Sequence, residues 1–470
     1  MRDSIAAVQV SRFYLLVAIP AGLFFALLVP PSQVLDESAH FFRVWQVSSG
    51  NVAADSTFDP NSGDEVTTGT YDRCVREYMT EFGRVAAAPQ PFVWRDFWLD
   101  TPDCSPQVRK QVVGEPMGTY SLWSYPGHTV GVAVGRSVGL PLPVTFYLGR
   151  LLGLAASITM CWWAIRLAPR LQLLLASVAL MPMALIGAAG FSPDGMVLGC
   201  ALVLIASCLR FSAQDAPAPR RLDIAVIVAA SSALVVSKPP YAVFLLLFAA
   251  YRPQLFGSTR ATAQRLAAMA AVPLVAMVLW ARFGYPSGAL VAAGDVDPGR
   301  QVRWVAGHPI AFLNVLSDSV FHWETQEFVM KGWVGAFGMF RTGSPETPLM
   351  LTGFVILAAL LLGALVATEA GPRLAVAGRA DALRTWVPLG VSLLGVLALY
   401  TSAYLSWSPV ASPLITGVQG RYLLAFITLP AVTVALRRQR SNAAVGMKVA
   451  GVAIAVLLAA AAVKVIAYFY

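Results

Sequence analysis

Runs of about 17 to 25 consecutive apolar residues recur along the chain, the length a helix needs to cross a hydrocarbon core of roughly 30 Å. Segments inside a bilayer must satisfy their own backbone polar groups, which restricts them to helices or closed barrels. A transmembrane barrel would show short alternating strands, and these runs do not alternate. The chain therefore reads as a bundle of membrane-spanning helices. Its 57% hydrophobic and 13% charged residues are far from the composition of a soluble protein of 470 residues.

Spans are expected near 13–29, 144–165, 171–189, 195–211, 222–237, 241–251, 266–281, 347–367, 386–404, 421–436 and 444–467, about eleven in all. The sixth is short and opens at Pro239-Pro240, so it is tilted, broken or extended by its neighbours. The Gly-rich stretch 129–140, interrupted by Arg136, reads as a helix at the interface or re-entering from outside. Pro30-Pro31 follows the first run where a signal peptide would carry small residues, so that run reads as a retained helix.

The net charge of +9 sits in short connections: Arg2 and Arg12, Arg166 and Arg170, Arg210 with Arg220 and Arg221, and Arg252 with Arg260 and Arg265. Arg373, Arg379 and Arg384, then Arg437, Arg438, Arg440 and Lys448, continue the series. The positive-inside rule puts these loops and the amino terminus in the cytoplasm. Topology thus explains the charge, and nucleic-acid binding is not expected. The expected organisation is one multi-pass domain, 1–470, with outer loop units at 30–126 and 282–346. The first outer segment is acidic and long enough for a small unit of helical and looped parts.

Cys74 and Cys104 fall in that segment, where a disulfide is permitted. Cys161, Cys200 and Cys208 lie in apolar runs and behave as small hydrophobes. His40, His128, His308 and His322 have no metal-ligand spacing, and no Gly-rich loop has phosphate-binding spacing. No cofactor is evident, and a divalent cation stays open.

The candidate chemistry begins at Asp36 and Glu37, just beyond the first span. On a helix over 38–47, Asp36, His40 and Arg43 would fall at i, i+4 and i+7 on one face. A carboxylate there suits a general base, with His40 or Arg43 holding substrate. Asp36 as a helix cap and Glu37 as a dipole partner is the structural alternative, although two adjacent acids exceed what a cap requires. Lys238 ends the fifth span, and Gly417-Val-Gln419-Gly420-Arg421-Tyr422 opens another at the same outer level. Each cation meets a phosphate or anchors at the headgroups. Arg150, in the outer third of its helix, must find a carboxylate, a phosphate or water. Asp194, in the turn Phe191-Ser-Pro-Asp194-Gly195, either caps the next helix or serves the site, and His128 is a lone candidate contact.

Pro30-Pro31 through Asp36-Glu37-x-x-His40-Phe-x-Arg43, then Lys238-Pro239-Pro240-Tyr241, then Gly417-Val-Gln419-Gly420-Arg421-Tyr422, resembles a bacterial family of predicted multi-span membrane proteins. That family is classed as a domain of unknown function and grouped with the GT-C glycosyltransferases. Leu35 stands where the pattern has a Pro. The resemblance implies an all-α, GT-C-like integral membrane fold in the bacterial cytoplasmic membrane, with its active face outside. It implies sugar transfer from a polyprenyl-phosphate donor to a cell-envelope glycan or glycolipid acceptor. Asp36 or Glu37 would be the essential acid, while Lys238 and Arg421, with Arg150, would bind the donor phosphate. His40, Arg43, Asp194, Tyr241 and Gln419 would line the substrate. A transporter or flippase for a lipid-linked saccharide would instead place its charges near the bilayer midplane. A non-catalytic partner in envelope assembly is the third reading.

Overall fold

The computed structural model describes residues 2–53, 55–59, 64–85, 92–99, 109–113, 116–213, 216–285, 296–323, 325–326, 329, 332, 379–437 and 443–470. Helix α1 (Arg2–Leu28) runs to the Pro30-Pro31 corner, and α2 (Glu37–Ser48) follows it. The stretch after α2 then forms an antiparallel sheet, β1 (Asp55–Asp59), β2 (Asp64–Asp72) and β3 (Arg109–Val113), in the order β1-β2-β3. Thr68 pairs with Asp55 on one side and Val113 on the other. The helical fold is thus interrupted by a small sheet, where only helix and loop were expected. Its Val, Thr and Tyr are strand formers, but polar neighbours hide the alternation. Helices α3 (Arg73–Val85) and α4 (Trp94–Leu99) complete the unit. Phe41, Phe97, Tyr125, Phe146 and Phe191 form an aromatic core that fixes it to the bundle. Cys74 is disulfide-bonded. Cys104 lies outside the described residues, and Cys161, Cys200 and Cys208 are free and buried.

Helix α5 (Pro126–Ser137) packs on α6 (Leu142–Leu167) through Gly127, Gly131 and Gly135, one turn apart. A Cβ on Gly131 would sit 2.6 Å from the Leu148 carbonyl oxygen, so the two backbones touch. The run 171–189 divides into α7 (Gln172–Ala179) and α8 (Pro182–Ala189), bent by 59°. Pro182 cannot continue the preceding helix. After α9 (Asp194–Phe211) and α10 (Arg221–Ser237) comes a 3-10 helix, Pro239–Ala250. At about 2.0 Å per residue, its 12 residues reach about 24 Å, further than an α-helix of that length.

The remaining described elements are α11 (Thr259–Phe283), α12 (Pro298–Gly307), α13 (Pro309–Phe321), α14 (Arg379–Arg384), α15 (Val387–Trp407), α16 (Leu429–Arg437) and α17 (Ala443–Phe469). Where one span was expected over 421–436, two 3-10 turns, Gly420–Leu423 and Phe426–Thr428, precede α16. Among the described residues, 6 helices are long and apolar enough to cross a membrane, or 7 if the bent pair is one span. Other expected spans, such as those over 241–251 and 421–436, fold in the described residues as short or broken helices. The expected span at 347–367, and residues 286–295 and 333–346 of the loop expected over 282–346, lie outside the described residues.

Three contacts define the ends of the bundle. The Tyr470 hydroxyl donates to the Leu28 carbonyl at 2.9 Å, so α17 ends beside the end of α1. At the far end Arg252 N–H donates to Phe211 O at 2.8 Å, and Arg384 Nη1 donates to Tyr251 O at 3.2 Å. Basic connections therefore gather at one end, opposite the end where α9 begins.

Candidate functional site

The chain leaves α1 through a sharp corner in which Ser32 and Asp36 adopt left-handed backbone, with φ of 66° and 61°. Such a conformation costs an L-residue about 1–3 kcal/mol and persists only where its surroundings enforce it. Arg150 provides the enforcement. Its Nη1 donates to Ala26 O and Val29 O at 2.9 and 2.7 Å, and its Nη2 to Pro30 O at 3.2 Å, covering the last carbonyls around the end of α1. The same guanidinium grips Glu37 bidentately, Nε to Oε1 at 2.8 Å and Nη2 to Oε2 at 2.6 Å. Phe191 N–H adds a third donor to Glu37 Oε1 at 3.0 Å. Both side chains are fully buried. Arg150 has found its carboxylate, so neither a supporting catalytic role for Glu37 nor a phosphate contact for Arg150 fits this geometry. The pair ties α1, α2, α6 and the Phe191 turn together.

Asp36 points elsewhere. As the residue before α2 it makes no side-chain cap, contrary to the capping alternative. Its Oδ2 instead accepts from Arg421 Nη2 at 2.8 Å. Arg421 Nε lies 2.9 Å from Asp194 Oδ2, and Lys238 Nζ lies 2.6 Å from Asp194 Oδ1. Four residues distant in sequence thus form one alternating chain, Asp36, Arg421, Asp194, Lys238, whose formal charges cancel. Its members differ in access: Asp36 is 33% exposed, against 12% for Asp194, 9% for Lys238 and 4% for Arg421. The backbone supplies the convergence. Lys238 sits where α10 stops, Asp194 where α9 starts, and Arg421 in the turn after Gly417, whose φ of 83° suits a glycine.

Tyrosines wall the charges. Lys238 Nζ stands 3.6 Å above the Tyr422 ring, and the Arg421 guanidinium 5.2 Å from it, both favourable cation-π placements. Tyr241 hydroxyl donates to Tyr422 O at 2.6 Å, which explains the value of that residue after the two prolines. Burial pulls the Lys238 ammonium below its usual range, with Asp194 opposing the shift. Burial also works against the Arg421 charge, but Tyr422, Asp194 and Asp36 outweigh it and hold its pKa above the ordinary value. Gln419 stands near Arg421 in sequence, with its Oε1 buried and without a hydrogen-bond partner among the described residues.

His40 lies behind Asp36, hydrogen-bonded through Nδ1 to the Tyr125 hydroxyl at 2.6 Å. Burial pushes its pKa down to about 4, so it is neutral near pH 7. Arg43 turns away from this cluster. It donates to Tyr120 O at 2.9 Å, Gln46 Oε1 at 2.6 Å and Val52 O at 2.6 Å, holding the first outer unit and not a substrate. His128 Nε2 donates to Gly190 O at 3.0 Å, a structural contact under the Phe191 turn. Among the described residues no three His, Cys, Asp or Glu side chains gather as a metal group. Sequence reasoning missed Tyr120 and Tyr125. Neither carries charge nor belongs to a motif, and no sequence signal marked them.

A family model described as "Predicted membrane protein (DUF2142)" matches residues 20–430. The chain belongs to that family. The DUF2142 match begins within α1 and ends within α16, so it contains Asp36, Asp194, Lys238 and Arg421. No curated protein and no solved structure matches the chain. DUF2142 membership gives a membrane protein and no activity, which leaves function to the site.

Proposed function

We propose that this protein transfers a sugar from a polyprenyl-phosphate donor to a hydroxyl of a cell-envelope acceptor at the outer face of the cytoplasmic membrane. One observation carries the reading: the partly exposed Asp36 carboxylate is held by a cation that shares Asp194 with a second cation. The basic connections at the opposite end support an amino terminus inside and this cluster outside.

In this reaction Asp36 takes the acceptor hydroxyl proton as the acceptor oxygen bonds to the sugar's anomeric carbon. The bond from that carbon to the phosphate oxygen breaks, and polyprenyl phosphate leaves. Arg421 and Lys238 take up the charge that develops on the leaving phosphate. Because Asp36 occupies Arg421 before substrate arrives, donor phosphate and Asp36 compete for the same guanidinium. Donor binding therefore releases the base. Transfer to the opposite face of the sugar inverts its anomeric configuration. The test is a deletion strain: the donor accumulates as a lipid-linked sugar whose mass names it. Wild-type chain clears that lipid and Asp36→Asn does not. No accumulating lipid, or clearance by Asp36→Asn, would overturn the proposal.

A further inference from the structure

Four tyrosines surround the charged chain, and three of their hydroxyls are engaged. Tyr125 pairs with His40 at 2.6 Å, Tyr241 donates to Tyr422 O at 2.6 Å, and Tyr422 accepts from Arg421 Nη2 at 3.3 Å. The Tyr120 hydroxyl makes no hydrogen bond among the described residues. Its ring is fixed nonetheless, edge-on to His40 at 5.4 Å and tilted against Tyr125 at 6.0 Å. The backbone that carries it is pinned on three sides. Arg43 Nε donates to Tyr120 O at 2.9 Å, Trp280 Nε1 to Thr119 O at 2.8 Å, and Ser124 Oγ to Ser237 Oγ at 2.8 Å. The last of these joins the strap to the residue before Lys238.

The Tyr120 ring thus lies against His40, one helical turn from Asp36, in a segment whose Ser124 is tied to the end of α10. Its electrostatic neighbours are Tyr422, Asp194, Arg421 and Asp36, the site itself. Burial keeps the phenol protonated far above neutral pH, so the group is a permanent donor. Two carboxylates in the site are already met by Arg421 and Lys238. The acceptor missing from this arrangement is an incoming anion.

We propose that the Tyr120 hydroxyl is a third donor to the phosphate that Arg421 and Lys238 bind, a positioning contact for the leaving group. The inference rests on the phosphate-binding reading above. No proton changes hands, since the phenol donates a hydrogen bond and stays neutral.

Farnesyl phosphate is the probe, with farnesol as its uncharged control, titrated against the purified full chain in nanodiscs. Tyr120→Phe keeps the ring contacts with His40 and Tyr125 and removes only the oxygen. Losing a hydrogen bond to a charged group should weaken farnesyl phosphate binding about 10-fold, with farnesol unaffected and melting unchanged. The phosphorus resonance of the bound probe gives a readout that packing alone would not move. Its titration shifts to higher pH in Tyr120→Phe, because one donor to the dianion is gone. Wild-type affinity and titration in Tyr120→Phe, with binding lost in Arg421→Gln, would overturn the Tyr120 assignment and leave the phosphate site standing. Failure of the wild-type chain to prefer farnesyl phosphate over farnesol would remove both.

Discussion

Glu37 and Arg150 offer the sharpest stability test, because removing either leaves the other charged, buried and alone. In Arg150→Met the Glu37 carboxylate keeps only Phe191 N–H as a donor, and the carbonyls of Ala26, Val29 and Pro30 lose theirs. In Glu37→Gln the new amide turns an N–H₂ toward Arg150 Nη2, donor against donor, where Oε2 stood at 2.6 Å. Breaking a buried pair in this way costs about 3–5 kcal/mol. The double variant removes both charges; its carbonyls are stranded equally in Arg150→Met, so their cost of about 1–3 kcal/mol each cancels in the cycle. The two single losses should therefore exceed the double-variant loss by at least about 2 kcal/mol, a coupling typical of residues in one network. Unfolding free energies in mixed micelles of rising SDS content measure all four corners of the cycle. Losses that add to within about 0.5 kcal/mol would refute a keystone role for the pair.

Acid should destabilise the fold through its buried histidines. His40 and His128 titrate near about 4 in the fold, against 6.5 when exposed. Their contribution is complete above 6.5 and falls away as pH drops toward 4, because the unfolded chain binds protons that the fold refuses. His40→Gln should flatten the slope of unfolding free energy in that window by about 1.4 kcal/mol per pH unit, and an unchanged slope would contradict the burial account. Asp194→Asn leaves Lys238 without its carboxylate and Arg421 with Asp36 alone, and should cost about 3 kcal/mol, read in the same SDS titration; a loss under about 1 kcal/mol would mean that Lys238 is already solvated. Gly131→Val, which forces a branched side chain against Leu148 O, should separate α5 from α6 and lower the folded yield in detergent, whereas Gly139→Asn on the surface should not.

The membrane class was legible from local pattern, and so were the charged residues that meet in the cluster. Apolar run length marks spans, and Asp36, Lys238 and Arg421 stand out as charges at the edges of apolar runs. The partners were not legible. Nothing in the sequence distinguishes Glu37 from Asp36, yet the left-handed turn at Asp36 sends one carboxylate to Arg421 and the next to Arg150. Asp194 looked like a cap, and its place between two cations depends on α9 starting beside the end of α10. Arg43 was set on the face of Asp36 by helical spacing, but carbonyls from the first outer unit draw it away. Helix continuity was not legible where proline and glycine break apolar runs, at Pro182 and around Gly420, since hydropathy registers composition and not backbone continuity.

Asp36 is the most exposed member of a charge cluster that is neutral as a whole, and it is the proposed base in sugar transfer. Lipid-linked sugar recovered from a deletion strain, presented to the purified chain in proteoliposomes with the envelope acceptor, tests it directly. Wild type should transfer the sugar, while Asp36→Asn, folded and melting as wild type, should be slower by about 10²–10⁴-fold. Undiminished transfer by Asp36→Asn would contradict the account.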